Sequence, residues 1–356
     1  MTATENEIIK RFEDAQNSLV LQSSDLSLET ISKMVDSGAI DVSPQYQRRD
    51  RWELKAQAEL IESFLLNVPV PPVYLAEDDF GTYTVIDGKQ RITSINRFLR
   101  DKFILDNLTG FPQVNKLKFS ALPKPLQNAL SIRPYLRVVT LLKQTDSELK
   151  YEVFTRLNTG GKPLLPQEIR NALYRGAFND LLFELGEEKF LREQLKINTK
   201  KESAFKEMQD VEMVLRFFTY RESWKTFSGD IRKSMDDFMK NQMKPKKATI
   251  TAFRDEFKDT LERCKKLWGD NAFKRHTDSG FRSQFLAAIY DAQMIAAHNL
   301  STPKFNKLCT KQNLVITETI NLFKDKKFEE SVRSSTNTPV RVRYRISKII
   351  DMLNSI

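Results

Sequence analysis

The sequence predicts an α+β protein in which a small α/β domain precedes a larger all-helical domain. The first 150 residues alternate between stretches of helical and strand-like periodicity. From Asp146 onward, strand-like stretches almost vanish and helical patterns recur. A length of 356 residues is typical of two domains. We therefore assign residues 1–150 to the first domain and 151–356 to the second, with the boundary expected between 145 and 175.

The elements of the first domain follow from the spacing of its apolar residues. Apolar side chains three and four residues apart predict helices, and short runs rich in Val, Ile, Thr and Tyr predict strands. The predicted elements are a helix at 55–66, strands at 73–76 and 82–86 around a turn at 78–81, a helix from residue 89 with Ile92, Ile95, Phe98 and Leu99 on one face, and a strand at 137–142.

The second domain is predicted from helical patterns alone. A helix at 147–157 is expected to begin at Thr145 or Asp146 and to end at the glycine-containing segment 158–161. Further helical patterns lie at 166–185, 204–222, 228–241, 249–268, 281–298, 312–324 and 341–354.

Composition excludes several classes of protein. No apolar run approaches the roughly 20 residues of a membrane-spanning helix, and the polar N-terminus lacks a signal-peptide core. Cys264 and Cys309 lack metal-ligand spacing, which predicts reduced thiols in a cytoplasmic protein. The only histidines, His276 and His298, are too few for a His-rich zinc site.

The net charge of +10 is unevenly distributed. Basic and acidic residues nearly balance over the first 150 positions, so the excess lies in the second domain. A polyanion should therefore be attracted mainly to the C-terminal part. A basic but merely solvated helical surface explains the charge equally well.

The segment from Val85 to Ser94 is the sharpest candidate site. A strand ends at Asp87, Gly88 permits a tight turn, and a helix follows with Lys89 and Arg91 in its first turn. Free N–H groups and the helix dipole suit a phosphate there, and a bound anion would offset the two cations. Asp87 could hold Mg²⁺ or position a water molecule. The alternative is an ordinary strand-turn-helix with surface cations.

Two further clusters have ligand-binding and structural interpretations. Residues 44–52 place three arginines beside Tyr46 and Trp52, which suits phosphates and nucleobases. The alternative is a loop whose Trp52 fills the core. In the segment 154–164, two glycines allow close backbone approach and Asn158 can bind a base or sugar. A helix C-terminus followed by a loop explains that segment without a ligand.

The basic tail supplies the candidate nucleic-acid contacts. Arg341, Arg343 and Arg345 follow the polar segment 334–337 and could contact a nucleic-acid backbone. A solvated basic strand or helix face is equally compatible with this pattern.

Four motifs in this order resemble a known family. They are PQYQRRDRW, AELIESFLLNVPVPPVYL, VIDGKQRITSINRFL and FTRLNTGGKPLLPQEIRNAL. Together they resemble the N-terminal domain of GmrSD-type restriction endonucleases, a branch of the ParB/sulfiredoxin-like fold. The resemblance covers about residues 25–185 well and the helical remainder more loosely, through NAFKR and STNTPVRVRYRI.

This resemblance implies a nucleoside triphosphate (NTP) site at a DGQQR-type motif. It implies Asp87 and Arg91 as catalytic residues, with Asp87 also holding Mg²⁺. Lys89 replaces the commoner glutamine, which implies altered nucleotide preference or binding without efficient turnover. The implied nucleotide-binding residues are Gln47, Arg48, Trp52, Gly88, Lys89, Gln90, Arg91, Thr93, Asn158, Gly160 and Gly161.

The resemblance also implies a role within a restriction system. Related proteins often carry an HNH-type nuclease, but residues 180–356 have no His-Asn-His pattern. We therefore expect a GmrS-like regulatory subunit that binds and hydrolyses NTP with Mg²⁺. It would act in a modified-DNA-dependent or anti-phage restriction system, with DNA and an HNH-type nuclease as partners. The alternatives are a non-enzymatic DNA-binding protein and a metal-dependent DNA nickase that uses the DGKQR segment.

Overall fold

The computed structural model of the protein describes residues 4–42, 52–145, 147–157 and 165–356. The chain divides into two compact units, Met1–Leu173 (unit 1) and Tyr174–Ile356 (unit 2). The α+β class predicted from the sequence is confirmed, with a five-stranded sheet in unit 1 and mostly helices in unit 2. The division falls after Leu173 rather than after residue 150, and inside the interval 145–175.

Unit 1 is built around its sheet, and every strand and helix predicted there is present to within a few residues at each end. The strands are β1 (Leu21–Ser27), β2 (Ile40–Asp41), β3 (Val73–Asp79), β4 (Thr82–Asp87) and β5 (Tyr135–Leu141). The helices are α1 (Glu5–Ser18), α2 (Leu28–Asp36), α3 (Leu54–Leu65), α4 (Lys89–Leu99), α5 (Lys124–Ile132), α6 (Ser147–Leu157) and α7 (Pro166–Leu173), with 3-10 turns at Pro112–Val114 and Phe119–Ala121.

The sheet of unit 1 is mixed, with the strand order β1-β5-β3-β4-β2. The pairs β1–β5 and β3–β4 are antiparallel, whereas β3–β5 and β2–β4 are parallel. In the β3–β4 hairpin, Tyr74 pairs with Asp87 and Asp79 pairs with Thr82. Asp87 therefore lies at the open end of the hairpin, far from the turn.

The alternation of side chains along the strands gives the sheet two buried faces. One face belongs to a large core with α2, α3 and α4, and the other to a smaller core with α6 and α7. Neighbouring residues such as Val85 and Ile86 therefore serve opposite cores. This explains why the strands are continuously apolar there: helices cover both faces. Strand residues of the large core are Ile40, Val73, Leu75, Val85, Leu136 and Val138, and those of the small core are Ala76, Ile86 and Leu141.

Unit 2 is mostly helical. Its helices are α8 (Ala177–Gly186), α9 (Lys189–Gln194), α10 (Ser203–Lys206), α11 (Gln209–Ser223), α12 (Ile231–Asn241), α13 (Lys247–Trp268), α14 (Ala287–His298), α15 (Thr302–Cys309), α16 (Gln312–Lys324), α17 (Lys326–Arg333) and α18 (Pro339–Ser355). Its two strands are β6 (Lys274–Thr277) and β7 (Gly280–Phe285).

The β6–β7 hairpin corrects the prediction of an all-helical second domain and of a helix at 281–298. Phe281, Phe285 and Ala288 are spaced as on one helix face, which produced the wrong prediction. In the structure, however, Gly280 adopts a left-handed φ of 99° at the turn between the two strands. Because a two-residue turn closes the hairpin, strand geometry prevails and α14 begins only at Ala287.

Helix α14 is the central element of unit 2. Residues 288–297 are all buried, and the helix packs against α11, α13 and α18. Phenylalanines from α8, α11, α12 and α13 form a neighbouring aromatic cluster, so the abundant Phe of the sequence serves this core. None of the described helices is both long and apolar enough to cross a membrane.

Candidate functional site

The turn between β4 and α4 requires glycine. Gly88 caps the N-terminus of α4 with a left-handed φ of 95°. A Cβ atom on Gly88 would lie 2.9 Å from Cβ of Val73, the first residue of β3, and closer still to its Cγ1. Both the conformation and the close approach exclude a side chain. The start of α4 is therefore packed closely against the first residue of β3.

The first turn of α4 lacks both a side-chain cap among the described residues and an acidic residue. Lys89, Gln90 and Arg91 occupy that turn instead. The N-terminal backbone N–H groups and the positive end of the dipole favour negative charge at this point. A phosphate site at this turn stays a prediction.

Arg91 is anchored to the fold beside Asp87. Its Nη2 donates to Oδ2 of Asp87 at 2.6 Å and to the carbonyl of Pro72 at 3.1 Å. The Arg91 side chain is only 15% exposed, while that of Asp87 is 35% exposed. This guanidinium therefore fixes the carboxylate at the end of β4 and ties it to the segment before β3. Its geometry is that of a positioning residue.

A second set of hydrogen bonds fixes the backbone at Trp52. The Trp52 N–H donates to Oε1 of Gln90 at 3.2 Å, and the Trp52 carbonyl accepts from Nε2 of Gln57 at 2.8 Å. Arg97 completes the chain by donating from Nη1 to Oε1 of Gln57 at 2.6 Å. Gln90 thus joins α4 to the residue that ends the arginine-rich segment 44–52, whose earlier part lies outside the described residues.

Gln57 and Arg97 belong to the site and were missed by the sequence analysis. Gln57 is only 4% exposed and shares the apolar face of α3 with Ile61 and Phe64. A buried amide on such a face needs hydrogen-bond partners, which was the available signal. Arg97 gave no comparable signal, because its spacing on α4 is that of an exposed side chain.

The remaining predicted nucleotide-binding residues divide into two groups. Thr93 lies one turn after Lys89 on α4, and its buried Oγ1 has no hydrogen-bond partner in the part of the chain that the structure describes. The structure therefore brings Trp52, Gly88, Lys89, Gln90, Arg91 and Thr93 to one end of α4 and its surroundings. Gln47, Arg48, Asn158, Gly160 and Gly161 lie outside the described residues.

Other carboxylates of the hairpin lie away from Asp87. Asp78 accepts a hydrogen bond from the Thr84 hydroxyl, and Asp79 pairs with Thr82 beside the turn. Five residues of strand separate Thr82 from Asp87, which corresponds to about 16 Å. Among the described residues, no group of three or more His, Cys, Asp or Glu side chains is placed to hold a metal ion.

The arginines of the predicted nucleic-acid tail lie in the first half of α18. The prediction for Arg345 is wrong, because its side chain is fully buried and donates to Oδ2 of Asp291 at 3.1 Å. Arg341 donates to Oγ of Ser334 at 2.8 Å, and Arg343 donates to the Phe227 carbonyl at 3.3 Å. Helical periodicity turns Arg345 inward, beside Val342 and Ile346 on the buried face.

Asp291 is the centre of a buried ionic network in unit 2. Arg216 donates to Oδ1 at 2.6 Å and to Oδ2 at 2.8 Å, and Oδ2 also accepts the bond from Arg345. Burial lowers the pKa of Arg345, with Asp291 opposing the shift. Burial also acts to lower the pKa of Arg216, but the carboxylate outweighs it and the net shift is upward. Burial, reinforced by Asp291, raises the pKa of the Tyr220 hydroxyl to about 12.

Comparison with protein families gives one match, and it lies almost entirely within unit 1. Residues 31–175 match the model of the "GmrSD restriction endonuclease, N-terminal domain" family. The match contains the whole Asp87–Arg91 turn and ends within two residues of the division after Leu173. Searches of the curated proteins and of the solved structures gave no match.

Proposed function

We propose that this chain, whose residues 31–175 belong to the GmrSD restriction endonuclease N-terminal domain family, is the nucleotide-dependent regulatory component of a restriction system. Membership of the family implies a component of such a system. Binding and hydrolysis of NTP at the Asp87–Arg91 turn are our proposal. The observation that carries it is the start of α4. Gly88 holds this helix start against Val73 of β3, its first turn contains no acidic residue, and none of the described side chains caps it.

Each residue of the turn has a distinct role in this proposal. The first-turn N–H groups of α4 and the Lys89 ammonium would bind phosphate oxygens. Asp87 would orient the water that attacks the terminal phosphorus, releasing phosphate from the nucleoside diphosphate. Arg91 would keep the Asp87 carboxylate in place through its 2.6 Å hydrogen bond. Gln90 would hold Trp52, whose partly exposed ring is available to a nucleobase.

Mg²⁺ is the expected metal ion, and the Asp87 carboxylate is the group of this turn that can bind it. Arg91 donates to Oδ2 of Asp87, so Oδ1 is the carboxylate oxygen that the described residues leave for a metal ion. Mg²⁺ is commonly held by one or two carboxylates together with phosphate oxygens. When bound with NTP, the ion would neutralise developing phosphate charge. Asp87 is therefore the proposed protein ligand for an ion that arrives with the nucleotide.

Calorimetric titration of the purified protein with ATP, GTP, CTP and UTP, each with Mg²⁺, tests binding. Phosphate release tests turnover. Asp87→Ala is expected to reduce turnover by about 100-fold or more while affinity changes less than tenfold. Arg91→Ala should weaken binding and turnover together, because the carboxylate and the segment before β3 lose their shared anchor. Failure to bind any of the four NTPs would overturn the proposal.

The sheet offers a matched control pair. Asp25 and Arg137 form an exposed bidentate pair on β1 and β5. Strand β1 lies three strand spacings from β4, or about 14 Å. Asp25→Ala and Arg137→Ala should leave NTP affinity and turnover at wild-type levels. Equal losses in these variants would show that the effects of Asp87→Ala and Arg91→Ala arise from general destabilisation.

The alternatives predict different outcomes. A non-enzymatic DNA-binding protein would bind DNA with steep salt dependence and no response to NTP. A nickase at Asp87 would relax supercoiled plasmid with Mg²⁺, and Asp87→Ala would abolish that activity. The position of Asp78 and Asp79 toward the other end of the hairpin favours phosphate chemistry on a nucleotide over the nickase.

DNA cleavage is proposed to come from a partner protein of HNH type. The histidines that such a centre needs are represented by His276 and His298 alone, on β6 and at the end of α14. Co-purification with a candidate HNH protein, followed by a cleavage assay with and without NTP, tests this. Cleavage by the chain alone would contradict the proposed division of labour.

A further inference from the structure

Unit 2 contains a small basic pocket that the Asp87 site does not use. The β6–β7 hairpin and α17 form its walls, and it encloses a cavity of about 150 Å³. Its lining combines three guanidinium groups, one amide and two apolar side chains. The lining residues are Arg275, Arg282, Gln284, Leu286, Val332 and Arg333.

The pocket has more positive than negative charge. Arg275 and Arg333 both contact Oε1 of Glu329, the latter at 3.6 Å. Arg282 is exposed and has no carboxylate partner among the residues that the structure describes. Within that part of the chain, three cations thus share one carboxylate. An anion entering the pocket would meet a field that the protein itself leaves uncompensated.

The pocket also offers unused hydrogen-bond donors. Nε of Arg275 is buried and has no hydrogen-bond partner in the described part of the chain. The planar guanidinium groups of Arg282 and Arg333 can each bind two oxygens of a phosphate. Val332, which is fully buried, and Leu286 form the apolar part of the lining. Apolar walls reduce hydration and strengthen charge-assisted hydrogen bonds.

The cavity size distinguishes a phosphate from a larger ligand. Pockets that enclose drug-sized molecules have roughly 300–1,000 Å³. A cavity of about 150 Å³ suits a phosphate group whose attached chain continues outside. The exposed side chains of Arg282, Gln284 and Arg333 border that outside region. This is the geometry expected for one phosphate of a polymer.

One arginine of the predicted tail, Arg341, contacts the end of the helix that carries Arg333. Arg341 donates from Nη1 to Oγ of Ser334 at 2.8 Å and to the carbonyl of Glu330 at 3.4 Å. Both acceptors belong to the C-terminal end of α17, next to Arg333. Arg341 therefore holds the helix end that presents Arg333.

We propose that the Arg275–Arg282–Arg333 pocket binds a backbone phosphate of double-stranded DNA. The choice of DNA rests on the proposed role in a restriction system, whereas the phosphate chemistry rests on the pocket. Contacts to one phosphate carry no sequence information, so binding is expected to be independent of sequence. The pocket would anchor the protein on DNA, and recognition of a modification would lie elsewhere.

Fluorescence anisotropy with a labelled 20-base-pair duplex tests the proposal. The titrations contain no nucleotide and cover a range of KCl concentrations. The double variant Arg282→Gln/Arg333→Gln is expected to bind about tenfold more weakly and to reduce the salt slope by about two. Both side chains are exposed, so the fold should persist, and circular dichroism checks it. Absence of DNA binding by the wild type, or an unchanged slope in the variant, would overturn the proposal.

The matched control is Lys240→Gln, which removes one exposed charge on α12. It should change affinity less than twofold. Inorganic phosphate at millimolar concentration forms a second arm: phosphate binding that the double variant loses, together with no binding of the duplex to the wild type, would assign the pocket to free phosphate and not to DNA. Because this assay contains no NTP, its failure would leave the Asp87 proposal intact. Loss of NTP binding would likewise leave the DNA result intact.

Discussion

Unit 1 and unit 2 place their arginine–carboxylate contacts in opposite surroundings. In unit 1, Arg91 meets an Asp87 carboxylate that is 35% exposed at a surface turn. In unit 2, Arg345 and Arg216 meet Asp291, whose side chain is 0% exposed. Arg91 and Arg345 belong to basic or polar stretches of sequence, whereas Arg216 lies among apolar residues of α11. Within the described residues, Asp87 keeps part of its carboxylate exposed to solvent, whereas Asp291 does not.

The difference shows that burial determines whether an arginine–carboxylate pair can bind a ligand or only stabilise the fold. A carboxylate that faces solvent can exchange its water for substrate at little cost. A buried carboxylate between two guanidinium groups cannot leave them, since each would then be an uncompensated buried charge. The network around Asp291 is therefore interpreted as structural, and the turn at Asp87 as functional. Four substitutions test this distinction, and their expected effects decrease in order.

Asp291→Ala should have the largest effect. It leaves Arg216 and Arg345 buried without their carboxylate, which costs about 3–5 kcal/mol of unfolding free energy. Urea denaturation followed by circular dichroism measures the loss. Asp351→Ala on the exposed face of α18 is the control and should cost less than about 0.5 kcal/mol. Equal stabilities of the two variants would refute the structural interpretation.

Gly88→Ala should follow, at about 2–4 kcal/mol. The left-handed backbone costs about 1–2 kcal/mol, and the contact with Val73 adds overpacking. Gly81→Ala is the control, since its φ of 78° is similar but no atom of the described residues lies within 4 Å of an added Cβ. The difference between the two melting curves isolates the contact with β3. If the variants melt alike, the close approach at the proposed site is not required.

Gln57→Leu should cost about 1–2 kcal/mol, because Arg97 and the Trp52 carbonyl lose their partner. It should also weaken NTP binding several-fold through Trp52. Gln127→Leu is the matched control: its amide donates to the carbonyls of Ser120 and Leu122 near α5. That variant should lose similar stability and keep NTP affinity. A parallel loss of affinity in both would assign the effect to stability alone.

The sequence predicted the elements around the Asp87-Gly88 turn well, because local pattern and tertiary context agree there, whereas α1, β1, α2, β2 and α5 of unit 1 were not predicted. The Asp87-Gly88 turn was predicted from its strand-to-helix switch, and the structure explains the glycine by its φ and by Val73. The contact with Val73 was not predictable, because it depends on how β3 pairs with β4. The same is true of the bond between Gln90 and Trp52, which joins residues 38 positions apart.

Unit 2 was predicted less completely, because periodicity does not determine which face is covered. Arg345 occupies a position of α18 that α14 buries, and its partner Asp291 is 54 residues away. The β6–β7 hairpin has a helix-like spacing of aromatic residues, and only its turn reveals the strands. The basic pocket depends on that hairpin meeting α17, so neither its residues nor its charge could be read from one segment.

The smallest expected effect is a pH dependence at an exposed pair in unit 1. Asp36 accepts hydrogen bonds from Asn96 and from Arg100, and these contacts hold the pKa of Asp36 below its ordinary value, the bond from Asn96 most strongly. A lowered pKa in the folded state stabilises the protein above the unfolded pKa of about 3.9, and the gain disappears as the pH falls through the folded value. Because the Asp36 side chain is 40% exposed, we expect less than about 1 kcal/mol. Urea denaturation of wild type and Asp36→Asn should show a constant difference from pH 8 to about 5 that shrinks below about pH 4. A difference as large as that of Asp291→Ala would mean that burial does not separate the two kinds of pair.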